Sequence, residues 1–503
     1  MKNNLPTVEI LPYQLPICPV LPTVYGNVDY TEFEEQLNRI DELLRASGVE
    51  QVFVEMSLGQ FYESTREAGI DPKIRAHLNY QKHSFRALRC MVLMSLLGES
   101  FRGMSRRLAE CALFRWFCGM EEIGIVRVAS KSTLQAYANW LPAQMMRKVV
   151  ETFLKAACSG EQPLGLANAM ELECVWMDAT CVKANIHFPV DWVLLRDATR
   201  TLMKATALIR KHGLKERMEE PSAFLSRMNR LSMAMSHCSR WVKDSRKQRK
   251  RNLRLMKRLV GVVAAHARRH RELLDAEWAR TDWTRKEVEQ VLRRMDGVLK
   301  LLPLAKKQAH ERIIGGRPVK NEDKILSLYE REAQVIVRGK AGAEVEFGNE
   351  ILLAEQKDGV IVDWRLYRDE VPADCRQLPE SLERMENVFG KGRVLAVGTD
   401  RGFESSANIN LLAEKGIYNG ICPKNPRLLR ERMKEAMFVK LQKRRGQTEA
   451  RIGIFKNVFV GRPLRVRGFV HRDAAVAWHV LTHNLWVLAR QPKTEEKELA
   501  EAA

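Results

Sequence analysis

Hydrophobic and polar positions follow two different periods along this chain, and the changes from one to the other mark its organisation. From Thr31 onward, Phe33, Leu37, Ile40, Leu43 and Leu44 recur at helical spacing, and Gly48 closes the run. A second helical block runs from about Ser84 to Cys158, with "HSFRALRCMVLMSLLGES" reading as a buried helix and "FRGMSRRLAECALFRWFCG" as an amphipathic one. "SKSTLQAYANWL" follows after a short Gly/Val break. Short successive helices with Arg102, Arg106, Arg107 and Lys131 near their starts fit a helix-turn-helix or a small helical bundle equally well. Residues 1–28 read as irregular.

The period changes at "LECVWMDATCVKANI", Leu172 to Ile186, where Val175, Met177 and Ala179 alternate as in a strand that carries Asp178 near its middle. Helical spacing then returns for more than a hundred residues. Within it, Thr284 followed by Glu287 makes a capping box, and Pro303 is predicted to lie past the end of that helix. From Lys324 strand patterns resume in "KILSLYE", "AQVIVRG", "AEVEFGNEILLAEQ" and "VIVDWRLYR", with Lys357-Asp358-Gly359 as a hairpin turn. A helix ending at Gly390, a strand "VLAVGT" stopping at Asp400, a helix ending at Gly416, a short strand "YNGIC" and further helices complete the chain. No internal repeat is visible.

Composition narrows the function classes. A chain of 503 residues with 45% hydrophobic and 29% charged residues is globular, long enough for several domains, and has no apolar run near the ~18 residues that cross a bilayer. Prolines scattered through "MKNNLPTVEILPYQLPICPVLP" do not suit a signal peptide, and ten cysteines without a CxxC pair argue against zinc ribbons and dithiol redox sites. The expectation is a cytoplasmic protein. Net charge is +21, and residues 201–320 hold 31 Lys+Arg against 12 Asp+Glu, so one segment carries nearly all the excess. Such a concentration, densest at "SRKQRKRNLRLMKR" with Arg249, Lys250 and Arg251, suits nucleic-acid phosphate; its plainer reading is a solvated helix face. The His266/His270 and His479/His483 pairs have i,i+4 spacing, but neither has the HExxH glutamate of a zinc site.

An acid at the end of a buried strand is costly unless it has a partner. Antiparallel strands followed by strands alternating with helices, with acids on separated strands, is the order expected of a ribonuclease H-like sheet interrupted by an insertion. On that order Asp178 and Asp400 become neighbours, and either a shared proton or a divalent cation resolves their repulsion; a carboxylate-held magnesium pair suits in-line displacement at phosphate. Glu449, on a predicted helix in "KRRGQTEARIGIFKNVF", supplies a third acid, with Lys456 two turns on.

At these residues the chain resembles the DDE-type transposases of bacterial insertion sequences, in the group with a Tyr-x2-Arg-x3-Glu-x6-Lys motif. Arg445, Glu449 and Lys456 match that spacing, while the tyrosine position is Gln442. "DATCVKANIHFPVDWVLLRDATRTL" resembles the family's first-aspartate block, "GKAGAEVEFGNEILLA" its middle strands and "TDRGFESSANINLL" its second-aspartate block. "RCMVLMSLLGESFRGMSRRLAECALFRWFCG" resembles its helical domain. The resemblance implies an all-α N-terminal domain (1–165) that binds DNA ends, then an α/β ribonuclease H-like catalytic domain (170–490) with a large basic helical insertion (197–320), and a tail (491–503). It implies catalysis by Asp178, Asp400 and Glu449 holding two Mg2+ ions, with Mn2+ as a substitute. Arg445, Lys456, Arg401, Arg249, Lys250 and Arg251 are the expected contacts to double-stranded DNA. A homodimer on DNA, no membrane association and a bacterial nucleoid location complete the expectation. A transposase-derived DNA-binding protein without catalysis is the alternative.

Overall fold

The structure, a computed structural model, describes all residues except 1–8, 13–18, 162–163, 239–243, 341–342, 370, 462 and 495–503. Most of the expected tail, and part of the irregular N-terminal stretch, therefore lie outside the described residues. The fold is mixed α/β, with a helical N-terminal region and a mixed sheet. The chain divides into two compact units, Met1–Val182 with Glu350–Ala503, and Lys183–Asn349. The first unit thus unites the N-terminal helices with most of the sheet, and the second holds the basic helices.

In the first unit, helices Val28–Ala46, Val49–Glu67 and Ile74–Leu97 form a layer whose apolar stripes meet in one core. Asn27 caps the first of them, its Oδ1 accepting from Tyr30 N at 3.0 Å. Shorter helices Phe101–Glu110, Ala112–Phe117, Lys131–Tyr137 and Ala143–Ala157 follow, with Ser100 and Ser130 as N-caps. The Gly/Val break between them is a two-stranded hairpin, Glu121–Glu122 paired with Ile125–Val126. The last helix, Phe469–Leu488, is buried against this layer, and Ser95 Oγ lies 2.6 Å from His479 Nδ1.

Six longer strands are β1 (Cys174–Lys183), β2 (Gln334–Lys340), β3 (Ala343–Gln356), β4 (Ile361–Leu366), β5 (Ala396–Thr399) and β6 (Tyr418–Ile421). In the first unit the order is β4-β3-β1-β5-β6, with β3 and β4 antiparallel and β1, β5 and β6 mutually parallel. The turn from β3 to β4 falls at Lys357-Asp358-Gly359, where Gly359 adopts φ 94°. β4 carries a buried acid, Asp363, held by Arg384 (Nη2–Oδ2 2.7 Å), Arg147 (Nη1–Oδ1 3.2 Å) and Ser381 Oγ (2.7 Å).

Helix Asp374–Phe389 precedes β5 and contains Pro379. Proline lacks the N–H that would reach the Cys375 carbonyl one turn back. Asn408 Nδ2, from helix Ser406–Glu414, donates to that carbonyl at 2.8 Å and to the Phe403 carbonyl at 2.7 Å.

The second unit packs helices Asp191–Lys211, Pro221–His237, Ser245–Glu277 and Arg285–Ala309 around Leu195, Leu202, Val260, Val263, Met295 and Leu302. Pairing of β2 with the first half of β3, Gln334 opposite Gly348, also belongs to it. The Thr284/Glu287 capping box forms as expected, but two expectations fail here. Pro303 lies inside its helix, which runs on to Ala309; the buried stripe continuing through Ala305 and Ala309 outweighs a cost of roughly 3 kcal/mol for an interior proline. "KILSLYE" is not a strand. Its backbone is taken up by side chains, Ile325 N donating to Gln308 Oε1 at 2.7 Å and Tyr329 N to Ser327 Oγ at 3.1 Å, while Leu326 and Leu328 are buried. Among the described residues no helix is long and apolar enough to cross a membrane.

Candidate functional site

Strand alternation decides which side chains of β1 share a face. Val175 and Met177 join the main core, whereas Trp176 packs with Ala396 and Leu441 on the opposite side. Asp178 and Thr180 therefore follow Trp176 on that second face. β1 and β5 pair in parallel with Cys174 opposite Ala396, Val175 opposite Val397 and Trp176 opposite Gly398. The offset is 222 residues at every pair. Carried two residues beyond the last recorded pair, the same offset matches Asp178 with Asp400, which lies just past the end of β5. Asp400 still has extended backbone, φ −80° and ψ −175°, so the strand geometry persists to it.

Beyond Asp400 the chain turns sharply. Asp400 Oδ1 accepts from Gly402 N at 2.9 Å and caps the short 3-10 turn Arg401–Phe403, leaving Arg401 exposed. A β-carbon at Gly402 would lie 3.1 Å from Asp400 Oδ1 and nearer still to Asp374 Oδ2. The two carboxylate oxygens thus stand within twice that distance, 6.2 Å, of each other. Asp374, half-buried at the first turn of its helix, is a residue that sequence reading missed. A lone acid in "VPADCRQ" gives no local signal.

The face of β1 bearing Asp178 is crossed by helix Ala436–Ile454 and the π-helical turn Phe455–Val460. At one end Trp176 Nε1 donates to the Leu441 carbonyl at 2.9 Å; at the other Lys456 Nζ donates to Thr180 Oγ1 at 3.0 Å. Asp178 lies between these two anchors on its strand, and Glu449 lies between them on its helix. Glu449 is exposed and seven residues past Gln442, close to the same helical face. Close approach of the helix is possible because its seat is glycine: β-carbons at Gly398 and Gly420 would come within 2.7 Å of Trp176 and of Leu441 Cδ1, respectively.

Two neighbouring side chains lock this helix in different directions. Gln442 Nε2 donates to the carbonyls of Thr399 (3.2 Å) and Gly420 (2.6 Å), while its Oε1 accepts from Arg445 Nε at 3.1 Å. Arg444 pairs with Glu355 at 3.0 Å, donates to the carbonyls of Gln356 and Lys357, and stacks 4.7 Å above the Trp176 ring. Arg451 also reaches the Lys357 carbonyl, and burial beside Arg444 lowers its pKa. Sequence reading singled out Arg445 and passed over Arg444, since both sit in one basic run.

The structure therefore holds Asp178, Asp400, Arg401, Arg445, Glu449 and Lys456 in one unit, with Lys456 bonded to β1 through Thr180 and Arg445 bonded to Gln442, while Glu449 is exposed on its helix. Arg249, Lys250 and Arg251 belong to the other unit, on helix Ser245–Glu277; Arg251 is exposed, whereas Arg249 Nε is buried with no hydrogen-bond partner among the described residues. Among the described residues no group of three or more His, Cys, Asp or Glu side chains is gathered closely enough to hold a metal ion. Two carboxylates, those of Asp374 and Asp400, do stand close at Gly402, and their hard oxygens are of the kind Mg2+ takes. His483 is instead ringed by Phe455, Phe459 and Trp486, a packing role. Comparison with known protein families, with curated proteins and with solved structures found no match for this chain.

Proposed function

We propose that this protein is a DDE-type transposase that cuts DNA at the ends of an insertion sequence and joins them to a target, with a ribonuclease H-like catalytic domain. The observation that carries the reading is the constant 222-residue offset of the β1–β5 pairs from Cys174–Ala396 to Trp176–Gly398, which, continued by two residues, would align Asp178 with Asp400. The strand order β4-β3-β1-β5-β6, with β3 and β4 antiparallel and β1, β5 and β6 parallel, supports the same fold. So does a late helix that carries Arg445 and Glu449 across the acid-bearing face.

In this reading Asp178, Asp400 and Glu449 hold two Mg2+ ions, with Mn2+ accepted. When bound, such ions stabilise the attacking and leaving oxygens of an in-line displacement at phosphorus. The chain's own part is to orient. The Asp400 turn is fixed by its Gly402 hydrogen bond, so its carboxylate is presented without a search through rotamers. Arg445, Lys456 and Arg401 neutralise phosphates beside the cut, and the basic second unit, with Arg249, Lys250 and Arg251, adds sequence-independent attraction to duplex DNA. The N-terminal helices recognise the element ends, and two protomers hold the two ends in one complex.

The test is cleavage of a plasmid carrying the DNA that flanks this gene, with Mg2+, comparing wild type and Asp400→Asn. Nicking at the repeats that the variant abolishes is the expected result. Binding to the repeats without cleavage by the wild type, in Mg2+ or Mn2+, would replace this reading with a non-catalytic DNA-binding protein.

A further inference from the structure

We propose that Gln442 is the positioning residue of this site, a carboxamide clamp that seats the Glu449 helix on the ends of β5 and β6 and so sets Asp400 and Arg445 relative to each other. The inference rests on the proposed metal-dependent cleavage and concerns the position where the resembling motif has tyrosine.

A carboxamide offers two N–H donors and one carbonyl acceptor, and here both ends are in use. Nε2 donates to the last residue of β5, Thr399, and to Gly420 of β6, at 3.2 and 2.6 Å. Oε1 accepts from Arg445 Nε at 3.1 Å. The Thr399 carbonyl belongs to the peptide that joins it to Asp400 and already accepts from Cys422 N at 3.1 Å, so Gln442 is the second donor on that oxygen and ties the plane from which the Asp400 side chain departs to the helix. The same amide turns Arg445 toward the strand ends, one helical turn before Glu449. Three groups assigned to one reaction are thus referred to one side chain.

Other residue types fail for stated reasons. Glutamate keeps the Arg445 contact but has no proton for two carbonyls and sets a negative charge against them. Tyrosine has a single hydroxyl and cannot serve two carbonyls and a guanidinium. Asparagine is one methylene too short to span from the helix to both strands. The seat is also closed to bulk, because a β-carbon at Gly420 would already meet Leu441 Cδ1 at 2.7 Å.

The test uses the full chain with Gln442→Met, which keeps the length and removes the donors. Amide hydrogen exchange is followed over 396–405 and 436–454, with and without MgCl2, alongside plasmid cleavage. Without metal, Gln442→Met should exchange roughly tenfold faster in both segments, the equivalent of about one lost hydrogen bond. With metal, the Mg2+ concentration that half-protects 399–405 should rise by a similar factor, and half-maximal cleavage should shift with it. A purely structural residue would speed exchange and leave the Mg2+ midpoint unmoved, and that result overturns the proposal. Unchanged exchange without metal overturns the clamp itself. A wild type whose exchange ignores Mg2+ overturns the metal reading, while its metal-free comparison with Gln442→Met still reports the clamp. Should Gln442→Met not fold, Gln442→Glu removes the same donors and keeps the Arg445 contact.

Discussion

Two glycines within reach of the same helix should respond to alanine in opposite directions. Gly420 lies on β6 under the helix Ala436–Ile454, and a β-carbon there would stand 2.6 Å from the Val397 carbonyl oxygen and 3.3 Å from Gly398 Cα. Both are backbone atoms that no rotamer change can move. Ordinary contact begins near 3.4 Å, so β5 and β6 must separate by several tenths of an ångström or the helix must lift. Overpacking of this kind costs about 1–3 kcal/mol. Losing the bond from Gln442 to the Gly420 carbonyl adds about 1 kcal/mol. Gly446, in the middle of the helix, has nothing among the described residues within 4 Å of where a β-carbon would stand, and alanine there should stabilise by roughly 0.5–1 kcal/mol through helix propensity. Native-state hydrogen exchange over 436–454 reads the local opening free energy of each variant without assuming that the whole chain unfolds in one step. Gly420→Ala should lower protection by one to three powers of ten, and Gly446→Ala should raise it severalfold. If both move the same way, or Gly420→Ala leaves protection unchanged, the helix does not rest on β6 and the site geometry built on that seat is wrong.

Other outcomes follow from single contacts. Trp176→Phe keeps the ring under Arg444 but leaves the Leu441 carbonyl without its Nε1–H donor, and should cost about 1–2 kcal/mol in local stability by the same exchange measurement. Asp363→Ala strands Arg384 and Arg147 beside a buried site and should cost about 3–5 kcal/mol, visible as a loss of soluble folded protein or a large fall in urea midpoint; an Asp363→Ala chain of wild-type stability would contradict the pairing. Burial among aromatic rings pushes the His483 pKa down to about 4. Between that value and about 6.5 the unfolded chain binds the extra proton, so this stability is complete above about pH 6.5 and is lost as pH falls toward 4. His479, also pushed down to about 4 by burial, keeps its own share, so His483→Gln should reduce but not abolish the dependence of the urea midpoint on pH across that window, and an unchanged slope would show that His483 does not contribute to it.

Much of the sheet was legible because its signals are local. Alternation in Cys174–Lys183 and Ala343–Gln356, a turn at Lys357-Asp358-Gly359 and an acid closing the β5 run each lie within a dozen residues. The capping box at Thr284 is equally local. What was not legible is long-range. Nothing near Asp178 announces the register of its strand with β5, and nothing near Gln442 announces two strand carbonyls within its reach. Where a motif lacked its tyrosine, pattern matching registered a departure; the structure places a three-way hydrogen-bond junction there. "KILSLYE" misled for the opposite reason, since its apolar alternation is satisfied by burial against helices while Gln308 and Ser327 occupy the backbone donors that a strand would need.

Pro379 ties the site to its surroundings in a way that makes two distant positions a single unit of variation. The carbonyl it frees, that of Cys375, is taken by Asn408, which also holds the Phe403 carbonyl of the Asp400 turn. Replacing the proline by alanine restores an N–H that competes with Asn408 for the same oxygen, while replacing Asn408 alone abandons it. The two changes are therefore non-additive, and a lineage that loses one is released from selection on the other.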